Sequence, residues 1–103
     1  MIPDSKPHVW PEILEAALWY EAERPGLGGE FVLEVQHTFC QIAEQPLLFP
    51  VIYTNQRKNK IVRRAILKRF TYGVYFVVQE DDILILSVIH LRRNPKEWKK
   101  YAK

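Results

Sequence analysis

Residues 62–76 read VRRAILKRFTYGVYF, and they set four cations, Arg63, Arg64, Lys68 and Arg69, into a stretch whose β-branched and aromatic residues otherwise spell strand. Charges at this density cannot be enclosed unpaired. The stretch therefore predicts a strand over about 61–70 with these four cations projecting outward from one face of a sheet whose reverse side is shielded. Downstream, strand candidates at 73–79 and 83–90 flank the tight acidic turn EDD and read as a hairpin. A short β-prone run, 51–53, precedes the polar cationic loop NQRKNK. In the last strand Ile83, Ile85 and Ile89 fall on one face and Leu84, Leu86 and Val88 on the other, so neither face suits water. One face can take helices; the other needs the C-terminal segment, a second chain or a partner peptide.

The helices come from the first half. From Pro11, the residues Ile13, Leu14, Ala17 and Leu18, joined by Ala16 and Tyr20, follow a helical period, and RPGLGG stops it. A second helix is predicted over about 29–45, with Phe31, Val35, Phe39 and Ile42 on one stripe. The short connection favours an antiparallel pair. NPKEWKKYAK closes the chain as a short cationic helix or tail, with Asn94 placed to cap it and Pro95 in its first position. The expected fold is thus α+β: an N-terminal helical hairpin packed on a twisted antiparallel sheet of three to four strands, in one domain spanning residues 1–103.

Composition narrows the function classes. One cysteine, Cys40, excludes an intrachain disulfide and a cysteine-based zinc site, and its setting beside Phe39 and Ile42 suits a small buried hydrophobe. No metal or cofactor signature is present. No apolar run approaches the ~18 residues of a membrane span, and the N-terminus lacks the apolar core of a signal peptide, so a cytoplasmic protein without a membrane partner is expected. The net charge of +3 hides an asymmetry: residues 1–50 carry −6 and residues 51–103 carry +9. Seven cations and no acid lie between Gln56 and Arg69. Such a run attracts nucleic acid or acidic protein segments; as a solvated strand face it would merely discourage aggregation.

EAALWYEAERPGLGGEF, IAEQPLLFP and VRRAILKRFTYGVYFVVQEDDILILSVIHLRRNPKEW, in that order and spacing, resemble the ParE/RelE superfamily of toxins from bacterial type II toxin–antitoxin (plasmid stabilisation) modules, the ParE branch most closely. The resemblance spans about residue 7 to residue 98. It implies a helical hairpin on an antiparallel sheet, and neutralisation by a cognate antitoxin whose flexible C-terminal segment wraps the toxin. ParE-like members arrest growth through DNA gyrase; RelE-like members cleave messenger RNA on the ribosome. A degenerate, non-toxic binding module is a third reading. The start departs from the family: its members open with an alternating strand, whereas MIPDSK offers Ile2 alone, so the first strand is expected to be irregular or missing, which leaves homodimerisation through an exposed edge open.

The resemblance also sorts the candidate residues. A ribosome-dependent nuclease needs a base, an acid and converging cations, for which His90, Arg92, Arg93 and Tyr101 are the candidates. Two positions depart from the nuclease pattern: Gly73 follows Tyr72 where that branch resembles Tyr-Arg, and Trp98 stands where a catalytic tyrosine would. His90 could equally hydrogen-bond backbone at a sheet edge. For antitoxin or target binding the candidates are Arg57, Lys58, Lys60, Arg63, Arg64, Lys68 and Arg69, with Trp19 as the exposed aromatic. Tyr72, Tyr75 and Phe76 could stack nucleotides, or Phe76 could be core with the tyrosines bridging core and surface.

Overall fold

The computed structural model describes residues 3–102, so Ile2 lies outside the described residues. Helix α1 spans Val9–Glu23 and α2 spans Leu27–Glu44, with a 3-10 turn at Pro46–Leu48. The strands are β1 (Asp4–Ser5), β2 (Val51–Asn55), β3 (Lys60–Ile66), β4 (Tyr72–Gln79) and β5 (Asp82–His90), and α3 (Lys96–Lys99) follows. They form one five-stranded mixed sheet in the order β1-β5-β4-β3-β2. The fold is α+β as the periodicity indicates. The strand count exceeds the expected three to four because the N-terminal segment contributes β1, which pairs in parallel with Leu84 and Ile85 of β5, and because 51–53 lengthens into β2.

The expected stripe of α2 is the one that packs: Phe31, Val35, Phe39 and Ile42 are fully buried. In α1 the stripe is rotated. Val9, Ile13, Ala16 and Ala17 face inward, while Leu14 and Leu18, expected to share that face, are exposed. Small residues at 16 and 17 let the two helices approach closely, and Gly28 sits at that approach, where a Cβ would run into the Ala17 carbonyl oxygen. The link between the helices is short. Gly26 adopts a φ of 89°, and the Glu21 carboxylate accepts the N–H groups of Gly26 and Gly28 at 2.9 and 3.0 Å, satisfying two donors at the start of α2. Cys40 is half-buried rather than enclosed.

Both faces of the sheet are covered, as the last strand demands. On one side the helical hairpin meets Ala65, Val74, Phe76, Ile85 and Val88. On the other, the C-terminal segment lays Trp98 and Ala102 over Val62, Tyr75, Val77, Leu86 and Ile89. Trp98 stacks on Tyr75 with ring centroids 5.0 Å apart. The Asn94 side chain accepts the Lys96 N–H at 2.9 Å, but α3 begins one residue later than expected, with Pro95 and not Asn94 in the N-cap position.

Two irregularities reassign side chains. A bulge in β5, where Tyr75 pairs with Ser87 but Phe76 pairs with Ile85, leaves Leu86 as the extra residue. The alternation reverses there, so Val88 turns to the helices and Ile89 away, the opposite of a regular strand. And β3 stops at Ile66: the Leu67 N–H bonds back to the Tyr72 carbonyl at 3.0 Å, so Lys68 and Arg69 belong to a turn and not to a strand.

Gly28→Ala is expected to lower the unfolding free energy by about 1–3 kcal/mol, because the clash is with backbone and the helices must separate. Trp98→Ala should cost about 3 kcal/mol or more by uncovering one sheet face. Urea denaturation of both variants measures these losses.

Candidate functional site

The cations of 57–69 do not share one face. In β3, Val62, Arg64 and Ile66 project to one side and Arg63 and Ala65 to the other, as the pairing with Val77, Tyr75, Gly73, Phe76 and Val74 requires. Arg63 lies on the helical side, where its guanidinium donates to the carbonyls of Phe49 (2.7 Å) and Leu47 (3.4 Å) and ties the 3-10 turn to the sheet. Arg69 is held by the acids of α2: its guanidinium donates to Glu30 at 2.6 Å and its backbone N–H to Glu34 at 3.1 Å. Glu30 also meets Arg24 at 3.3 Å. The Arg69 hydrogen bond is the main reason the Glu30 carboxyl is held below its ordinary range, and the same bond raises Arg69. Lys68 is exposed beside a cleft of about 410 Å³ that it shares with Glu34, His37 and Glu44 of α2. The expected single outward surface of Arg63, Arg64, Lys68 and Arg69 is therefore not what forms.

A different basic face forms on the side away from the helical hairpin. Alternation along β3 puts Lys60 with Val62 and Arg64. The Arg64 stem runs over Gly73, where a Cβ would meet Arg64 Cδ at 3.2 Å and Leu91 Cδ2 at 3.0 Å, and the Arg64 Nε is buried without a hydrogen-bond partner. Gly73 lacks a side chain, and Arg64 fills the space that one would need. The C-terminal helix completes the face. Lys99 places its ammonium 5.0 Å from the Tyr53 ring centroid, and Tyr53 in turn meets Trp98 edge-on at 5.7 Å. Arg57 and Lys58 are exposed at the tip of the β2–β3 hairpin. Lys99 was not legible as a member of this face, although the cation-and-aromatic mixture KEWKKYAK was the signal that could have pointed to it.

The groups proposed for proton transfer also separate. His90 accepts the Arg92 N–H at Nδ1 (3.1 Å), so its proton is on Nε2, which donates to the Thr71 hydroxyl at 2.8 Å. Burial pushes up the ionisation of the Tyr20 phenol, which lines the same cleft as Thr71 and His90. Tyr101 instead stacks on His8, centroids 3.7 Å apart, and packs with the cluster on the opposite side of the sheet. Arg92 is exposed, while Arg93 lines a cleft with His90. Tyr75 and Phe76 are buried and have no free face for a base; Tyr72 is half-buried.

That cleft, about 950 Å³, lies between α1 and the strand ends of β4 and β5. Its inner wall carries Glu12, whose carboxylate accepts the Ser87 hydroxyl and the Val88 N–H at 3.0 Å each. Just above, His8 Nε2 donates to the Leu86 carbonyl at 2.6 Å. These two side chains occupy hydrogen-bonding groups of β5 beyond the point where β1 ends. Burial pushes the Glu12 carboxyl above its ordinary value; the bonds from Val88 and Ser87, with nearby His8 and Arg93, pull it back only in part.

No protein-family model matches the chain, and no curated protein matches it.

Because the raised Glu12 pKa makes the folded state bind more protons than the unfolded one, its contribution to stability is present in acid and is lost as pH rises from about 4.5 through the folded value, then levels off. The difference in stability between the natural chain and Glu12→Gln is expected to fall across that window. Urea midpoints of both proteins at a series of pH values test the sign; a difference that grows with pH contradicts it.

Proposed function

We propose that the protein is the toxin of a bacterial type II toxin–antitoxin module, of the ParE-like kind, acting in the cytoplasm by binding DNA gyrase and neutralised by a cognate antitoxin. The reading rests on the sequence resemblance, and it is supported by the architecture, a helical hairpin laid on a mainly antiparallel sheet. The observation that carries gyrase binding over RNA cleavage is the separation of Tyr101 from His90, Arg92 and Arg93. His90 has both ring nitrogens engaged, Tyr101 is stacked on His8 across the sheet, and Gly73 offers no cation. Attack by a 2′-hydroxyl on phosphate requires a base, an acid and positive charge around one phosphorus. With Tyr101 across the sheet from His90, Arg92 and Arg93, the basic surface is read as a means of binding.

The surface suited to an acidic antitoxin segment is the face carrying Lys60, Arg64 and Lys99, with Arg57 and Lys58 at its rim. Arg57 and Lys58 are exposed, and charges of this kind govern association more than folding, whereas Arg64 and Lys99 are half-buried and also pack. Reversal of Arg57 and Lys58, the exposed cations of its rim, to glutamate is expected to weaken antitoxin or gyrase binding about tenfold or more, with the melting temperature little changed. Lys68→Glu, on the helical side, should change it less than about twofold.

Induction of the protein in bacteria, followed by inspection of plasmid supercoiling, gyrase–DNA complexes and messenger RNA, tests the reading. Growth arrest with trapped gyrase complexes and intact messages is expected. Codon-positioned cuts in messenger RNA would replace it with the nuclease reading, and growth without arrest would leave a non-toxic binding module.

A further inference from the structure

The 950 Å³ cleft has no part in the basic face, and its chemistry is of the opposite kind. Helix α1, its outer wall, carries Glu12, Glu15, Glu21 and Glu23 and no cation. Two of these, Glu12 and Glu15, line the cleft. Glu12 is occupied by β5, but Glu15 is exposed and has no hydrogen bond or ion pair among the described residues. The one arginine in the lining, Arg93, sets its charge against Glu12 and Tyr72. Both ring nitrogens of His90 are engaged, by the Arg92 N–H and by Thr71. The uncompensated charge at the mouth is therefore that of Glu15, and it reaches far enough inside to help raise the Tyr72 phenol.

Beside this carboxylate the helix exposes side chains that usually avoid water. Leu18 is 72% exposed and Trp19 60% exposed. The indole touches Tyr20 edge-on, centroids 5.1 Å apart at 83°, which leaves most of its surface uncovered. An unpaired carboxylate, an uncovered indole and a leucine on consecutive turns of one helix match an arginine or lysine side chain: alkyl stem on Leu18, cationic head between the indole and Glu15. The volume far exceeds one side chain, so the occupant is a length of peptide that carries the cation.

We infer that the cleft is a docking site for a basic peptide segment, with one arginine or lysine seated on Trp19 and paired with Glu15. This does not rest on the toxin reading. An acidic antitoxin segment and the phosphates of RNA are both repelled by the α1 wall, so the site is distinct from the basic face in the charge of what it takes.

The test uses the full chain, isotopically labelled, titrated with a blocked hexapeptide containing two arginines, with the same peptide bearing glutamates, and with a short oligouridylate. The arginine peptide is expected to shift the Trp19 indole N–H and the Glu15 and Leu18 amides, with affinity falling as salt rises. Glu15→Gln and Trp19→Ala should each weaken it about fivefold or more, and both residues are exposed, so the fold is retained. Absence of shifts at millimolar peptide, equal binding of the glutamate peptide, binding of the oligouridylate here instead, or indifference to both substitutions overturns the inference. None of these outcomes depends on whether induction arrests growth.

Discussion

The central strands β4 and β5 are apolar on both faces, and the rest of the molecule follows from covering them. Phe76, Val74, Ile85 and Val88 require one layer, Tyr75, Val77, Leu86 and Ile89 another. A fully buried side chain of this size gains about 1.5–3 kcal/mol over exposure, so neither set can be left in water by a chain of 103 residues. The helical hairpin is large enough to cover the first. The second is left to a four-residue helix whose one large contribution is Trp98. That economy is also what brings Lys99 beside Tyr53 and makes the second face basic.

The same sheet must close its edge at β5, where β1 is only two residues long. Beyond it, α1 substitutes side chains for a strand: His8 serves the Leu86 carbonyl and Glu12 the Val88 N–H. Satisfying buried backbone groups in this way fixes the rotation of α1. Glu12 turned toward the sheet goes with Leu14, Leu18 and Trp19 on the outside, so the sealing of the edge and the opening of the cleft have one cause. Half-burying a carboxylate has an electrostatic cost, visible in the raised Glu12 value.

Charge is distributed by topology and not by sequence blocks. The acid-rich first half and the cation-rich second half meet where Arg69 reaches Glu30, and the turn 67–71 is docked onto α2 by that contact and by Glu34. The cations of the C-terminal face and the acids of α1 are separated in space. Two surfaces of opposite sign on one small protein favour partners of different character at each.

The sequence by itself determined the class of fold, the α2 stripe of Phe31, Val35, Phe39 and Ile42, the β4–β5 hairpin about its acidic turn, and the need for a second cover on the sheet. Each of these is written in local periodicity or turn chemistry. Only the tertiary structure decided which residues share a face. One extra residue at Leu86 reverses every side chain after it, the end of β3 at Ile66 removes Lys68 and Arg69 from the strand, and the sealing of β5 by Glu12 sets the roll of α1. Facing in a strand alternates with a period of two, so a single-residue shift inverts it. Such shifts are settled by hydrogen-bond pairing between distant segments, about which neighbouring residues carry no information.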